Sequence, residues 1–349
     1  MKKNFAVIDL GGEETFAVAA SWAKNGGYIL GGFYKTRDNG VPGDNEHGVY
    51  PLTERVRAVL SALSKKTGKS FHEVYAGISS FSVKVEPSSA SVLISRHGRE
   101  VTSRDMKRCV EIGSVSKVPL DREVLHKVVM GFSIDGERLI RDPEGLDAVK
   151  LGVEVNIVTV SATHIRNFSK GIAQAGYLPS GFVLSALACS GRILNEEDKI
   201  DRTVFISALK ERTEVLFLSA GKLENCRIMD TEILERGKFD AGQNPGYEKF
   251  FKELSSMRGW EKMRRIVVSG MKAPPEEFLR ETEKFSGLPV RVGFPSARPF
   301  EDLPEDGASY ASVLGILDHI RGERRGTCSE TNLFKKIFNK VTCVLDEYF

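Results

Sequence analysis

Asp9-Leu10-Gly11-Gly12 is the stretch of this 349-residue chain whose residue types and spacing suit chemistry. The apolar run 5–10 reads as a strand, and a second strand opens at Thr15. A strand, a turn of Asp and two glycines, and a returning strand form a hairpin that can hold phosphate. Gly11 and Gly12 would let backbone N–H groups approach phosphate oxygens, and the Asp9 carboxylate could hold a metal-bound water. Asp-x-Gly at a strand end also occurs as a plain turn, so the motif needs support from the rest of the chain. Other candidates carry less. His126 follows a strand-like run with no nucleophile near it in sequence, and reads as a packed or capping histidine rather than a base. His164 and His319 fall on helical segments, at the surface or its boundary. Trp260 sits in a polar setting, as a partner contact or a partly buried anchor. The five cysteines (109, 189, 226, 328, 343) make no C-x-x-C pair and have no His at ligand spacing. That argues against a zinc site or a disulfide framework and fits a reducing cytosol.

The elements that must position such a hairpin follow from periodicity. Strands are expected at 15–22 and 28–34 with Asn25-Gly26-Gly27 as their turn, a loop at 37–48, a helix at 53–67 stopped by Gly68, and a strand at 74–78. Residues 88–176 differ in texture and read as an α+β insert. Strand-like runs at 92–95, 125–134 and 151–160 accompany helices at 103–114, with Thr102 as cap, and 164–175. Beyond it, a close-packed helix is expected at 181–194 and strands at 203–207, 214–219, 226–231, 266–269 and 290–293. Helices are expected at 247–256, 275–285 and 308–320. Glycines close the strands ending near Ile8 and Val268 in two similar halves, which suggests an internally duplicated α/β protein. A net charge of +3 does not point to nucleic acid. The first apolar run stops at Asp9, too short for a signal-peptide core, and no window approaches the ~18 apolar residues of a membrane span.

Residues 332–349 carry an amphipathic pattern. On a helix, Leu333, Phe334, Ile337, Phe338, Val341, Val344, Leu345, Tyr348 and Phe349 fall inside an arc of about 160°. Lys335, Lys336, Asn339, Lys340, Thr342, Asp346 and Glu347 fall outside it, with Cys343 the one apolar residue on their side. Phe and Leu could enter the acyl boundary while the lysines meet anionic head groups, so a peripheral membrane contact is expected; a helix docked on its own domain is the alternative. The polar, glycine-containing stretch 321–331 reads as a tether, and its arginines could add attraction to an anionic bilayer.

The order of the whole chain resembles the actin-like ATPases, and among them the bacterial cell-division protein FtsA. The resemblance is most specific in the insert: Val101-Thr-Ser-Arg-Asp105, Pro119-Leu-Asp-Arg-Glu-Val-Leu-His126, Phe132-Ser-Ile-Asp-Gly136, Asp142-Pro-Glu-Gly-Leu146 and Asn167. Leu184-Ser-Ala-Leu-Ala188 and 307–315 resemble the two connecting helices, and Val267-Val-Ser-Gly270 the adenosine loop, with Met271 where a second Gly is expected. The resemblance implies an actin-like (ribonuclease H-like) duplicated α/β fold with an α+β insert and a C-terminal amphipathic helix. Its expected parts are a first subdomain 1–87, the insert 88–176, a second half 177–320 with a reduced outer subdomain, the tether 321–331 and the membrane helix 332–349. A weak nucleotide site would use Asp9, Gly11, Gly12, Thr15, Ser269 and Gly270.

The departures from the family fall at that site. Glu13 and Glu14 follow Gly12, where small or hydroxyl residues and then Lys are usual. A carboxylate 4 Å from a phosphate charge costs about 4 kcal/mol at an effective dielectric of ~20 before screening. The second phosphate loop, expected as Asp-x-Gly-Gly-Gly-Thr-Thr, reads Ser-Ala-Leu-Lys-Glu-Arg-Thr over 207–213, with a side chain at each glycine position. No catalytic residue and no metal site are therefore expected. Mg-ATP is the cofactor the fold would take, and the altered loops point instead to none. About 35 residues separate the strands at 226–231 and 266–269, where FtsA proteins carry the subdomain that receives FtsZ. The expected function is a peripheral adaptor of cell division on the cytoplasmic face of the inner membrane, with FtsZ or another divisome protein as partner. The alternatives are a nucleotide-switched actin-like ATPase that self-associates on the membrane, and a platform like PilM of type IV pili.

Overall fold

The computed structural model describes residues 3–10, 14–37, 48–115, 118–209, 212–230, 245–269, 276–295 and 310–325. The chain divides into two compact units. One holds Met1–Lys84 with Arg166–His319; the other holds Val85–Ile165 and residues 320–325.

The larger unit is built on two five-stranded sheets. The first begins with β1 (Asn4–Asp9), β2 (Glu14–Trp22) and β3 (Tyr28–Arg37), an antiparallel meander. Helix α1 (Val49–Thr67) follows and buries Leu52, Val56, Val59, Leu60 and Leu63, one face at helical spacing. Gly68 ends it in the left-handed region (φ 63°), a conformation open to Gly at no steric cost. The chain then returns as β4 (Glu73–Ile78), parallel to β1. Phe5, Val7, Ile8, Val74 and Ala76 are wholly buried, so these strands read as apolar runs.

The smaller unit contains β5 (Lys84–Leu93), β6 (Arg99–Glu100), α2 (Ser103–Val115), β7 (Arg122–Ile134), β8 (Asp147–Ala148) and β9 (Lys150–Ser161). Its three-stranded sheet runs in the order β5-β9-β7, and β6 pairs with β8. Its core joins Val92, Val101, Cys109, Val110, Val129, Phe132, Leu151 and Val153. Helix α3 (Ala162–Gln174) leads back to the larger unit, where Gly171 lies against Leu52 of α1.

The first sheet is completed by β10 (Leu178–Leu184), parallel to β4. This corrects the sequence expectation of one helix over 181–194. The run Phe182-Val-Leu184 is a buried strand, and helix α4 (Ser185–Ile193) starts only after it. A short apolar run beside small residues satisfies both periods, and pairing with β4 decides between them. A short helix, α5 (Glu196–Ile200), follows with a capping box between Asn195 and Asp198.

The second sheet uses β11 (Arg202–Ala208), β12 (Arg212–Ser219), β13 (Lys222–Asp230), β14 (Arg265–Ser269) and β15 (Val290–Val292), with α6 (Pro245–Ser256) and α7 (Glu276–Ser286). Its order, β13-β12-β11-β14-β15, repeats that of the first sheet, β3-β2-β1-β4-β10, and the parallel and antiparallel pairings repeat with it. The fold is thus duplicated. Phe250, Leu254, Met257, Phe278 and Val268 pack one face of the second sheet. The last described helix is α8 (Ala311–Arg325).

Candidate functional site

The strand ends of the two sheets carry the candidate residues. Asp9 closes β1, with Phe16 opposite it in β2 and Gly77 in β4. It is 7% exposed, and its Oδ1 accepts a hydrogen bond from Ser185 Oγ at 3.0 Å. Gly77 makes that bond possible: a Cβ there would stand 2.4 Å from Ser185 Oγ and 2.9 Å from Asp9 Oδ1. Thr15 is wholly buried, and its hydroxyl accepts from Arg55 Nε of α1 at 2.8 Å. Ser269 is buried at the end of β14, opposite Ser207. Gly11, Gly12 and Gly270 lie outside the described residues. So do the proposed membrane residues Leu333, Phe334, Lys335, Lys336, Ile337, Phe338, Lys340, Val341, Val344, Leu345 and Phe349.

The two hairpins share a register. Asp9 pairs with Phe16, and Ser207 pairs with Glu214 at the same separation along the chain. Ser207 therefore stands at the rung that Asp9 holds in the first sheet, and Arg212 at the rung of Glu14. Leu209 N–H donates to Arg212 C=O at 2.9 Å, which closes this end of the hairpin with backbone.

Three further residues meet here, of which sequence reasoning passed over Ser79 and Glu214. Arg212, part of the altered loop 207–213 in the sequence, and Glu214 are only 2% and 1% exposed. They lie two apart in β12 and so on one face. Ser79, just past β4, donates its hydroxyl to Glu214 Oε1, and its carbonyl accepts from Arg212 Nη1 at 3.2 Å. The available signal was an ionisable residue, Glu214, leading straight into the apolar run Val215-Leu-Phe-Leu218. A charge in a buried strand must find a partner.

Cys189 of α4 lies close to both acids. Burial pushes its thiol up, and the negative charges of Asp9 and Glu214 add to that. Burial raises the Cys226 thiol too, again with help from Glu214. Neither is an activated nucleophile, because the thiolate is the reactive form. Among the described residues, no group of His, Cys, Asp and Glu could hold a metal ion. The site is a buried, largely self-satisfied polar seam.

A family model described as "SHS2 domain inserted in FTSA" matches residues 82–159. The "Cell division protein FtsA" of Borreliella burgdorferi is 25% identical over 222 residues, covering 63% of this chain and 54% of that protein. The same-named protein of Streptococcus pneumoniae serotype 2 is 24% identical over 233 residues, 67% of this chain and 50% of that protein. The chain thus spans about half the length of the curated relatives it matches. Among solved structures, a chain of a "PilM-PilN type IV pilus biogenesis complex" aligns with a TM-score of 0.60 at 13% identity, covering 91% of this chain and 98% of that one. That likeness speaks for the fold alone.

Proposed function

We propose that this divergent FtsA-like chain, an actin-like α/β protein, is a peripheral adaptor that holds a cell-division partner at the cytoplasmic face of the inner membrane without hydrolysing ATP. The observation that carries the division reading is the insert, whose residues 82–159 match the SHS2 domain of FtsA. The relatives that align with about two thirds of the chain are cell-division proteins by name. The partner is FtsZ or another divisome protein. About 35 residues separate β13 from β14, few for a whole further subdomain, which favours a partner other than FtsZ at that lobe.

The residues at the strand ends do not fit a triphosphate. Ser207 replaces an acid, Leu209 replaces a glycine, and Glu214 and Arg212 are already engaged by Ser79. An adaptor of this kind needs no nucleotide step.

The membrane arm rests on the sequence of residues 332–349. Among the described residues no helix is long and apolar enough to cross a membrane. The test is cosedimentation with vesicles of phosphatidylethanolamine and phosphatidylglycerol. The full chain is expected to pellet with anionic vesicles and to be released by salt. Deleting 332–349, or changing Phe338→Glu, should cut binding at least about tenfold, the order expected when a buried aromatic anchor is lost. Equal pelleting of the truncated chain would overturn the membrane arm.

A further inference from the structure

We propose that the two halves of the larger unit are latched together by Ser79, Arg212 and Glu214, so that the chain itself, and not a ligand, holds its two sheets together. Ser79 belongs to the first half, one residue beyond β4; Arg212 and Glu214 belong to the second, on one face of β12. Ser79 contributes two polar groups. Its hydroxyl donates to the Glu214 carboxylate and its carbonyl accepts from the Arg212 guanidinium. All three residues are at most 5% exposed.

The charges make the contact directional. Arg212 and Glu214 bring one positive and one negative group to the same strand face, so the pair adds no net charge to the interior. Ser79 supplies a donor to the anion and an acceptor to the cation. Pulling the halves apart would strip a buried carboxylate and a buried guanidinium of a partner, unless water entered. The open state is therefore disfavoured by the desolvated ions themselves, which is how a bistable element is biased. A neighbouring tie works in the same sense. Asp9 at the end of β1 accepts from Ser185 at the start of α4, and Ile193 of α4 reaches Gly293 just past β15.

The latch rests on this geometry and not on the membrane or division reading, so the two can fail separately. The test measures the distance between the halves by pulsed electron paramagnetic resonance on the full chain. Spin labels are placed at Lys65→Cys in α1 and Lys284→Cys in α7, both exposed, with Cys328→Ser and Cys343→Ser removing the tail thiols. The latched chain should give one narrow distance distribution, unchanged by Mg-ATP. Ser79→Ala, and further Ser79→Ala with Glu214→Gln, should add a longer component. An unchanged distribution in both, with circular dichroism showing native structure, overturns the latch; so does a shift of the parent chain on adding Mg-ATP. Should the double variant not fold, Ser79→Ala, which removes one hydroxyl, decides alone. Loss of vesicle binding would count against the adaptor and leave the latch standing.

Discussion

Asp105 shows how one carboxylate can organise a segment. Its oxygens accept from Arg99 Nη1 and Nη2 at 2.8 and 2.9 Å, from the Thr102 N–H at 3.0 Å and from the Thr102 hydroxyl at 2.6 Å. Thr102 Oγ1 in turn accepts from the Asp105 N–H at 3.3 Å, a capping box with Asp in the role of Glu. The hydrogen bond from Arg99 is the main reason that this carboxyl titrates well below the usual range. The sequence showed Thr102 as a cap; Asp105 stands three residues on in α2, at capping-box spacing, whereas Arg99 comes from β6 and had no local pattern to reveal it. A depressed folded-state pKa stabilises above the ordinary Asp value of about 3.9 and loses that contribution as pH falls through the folded value. Asp105→Asn should cost about 1 kcal/mol at pH 7, the usual worth of a helix cap. Thermal melts against pH check it: the gap between parent and variant should narrow below about pH 4. A gap that stays constant from pH 7 to pH 3 would contradict the assignment.

At the level of elements, α4 and α8 depend on glycine at their crossing. A Cβ on Gly315 would stand 1.9 Å from the carbonyl oxygen of Ala188 and 2.4 Å from its carbon. Backbone cannot rotate away as a side chain can, so the helices would have to separate. Gly315→Ala should therefore destabilise by about 3 kcal/mol, as overpacking at a rigid contact does. Calorimetric unfolding checks this, and a melting temperature within a degree of the parent would refute it. The salt bridge from Arg192 Nε to Asp318 at 2.6 Å, with Tyr28 donating to the same carboxylate at 2.9 Å, fixes the register of that crossing. Much at this scale is legible in sequence. The meander 5–34, α1 with its Gly68 stop, and the α2 segment all follow from period and punctuation. What was not legible was β10. Pro179, Gly181 and the small residues after Leu184 gave no clean alternation, and only the neighbouring β4 made a strand of them. Long-range pairing overrides a weak local signal.

At the scale of the whole chain, duplication was readable because both halves end a strand on glycine. The site was readable only as two loops with residues missing. The positive content, Arg212 and Glu214 turned inward onto Ser79, was hidden. Charged residues at a strand start look like loop until the partner from the other half is in place. On the proposed reading, a seam engaged by Ser79 leaves little for nucleotide to grip. Titrating Mg-ATP into the full chain in a calorimeter should give no heat at millimolar ligand, a level at which binding as weak as ~4 kcal/mol would register. Micromolar binding would restore the nucleotide-switched alternative.

The shared rung spacing of the β1–β2 and β11–β12 hairpins has a consequence for the history and engineering of such a chain. No residue has been gained or lost between the paired positions of one hairpin relative to the other, so the rungs match one for one while their side chains differ. At these paired rungs the two hairpins differ in side chains alone, so point replacements at Ser207 and Arg212 would change the occupants of the seam and leave the strand pairing in place.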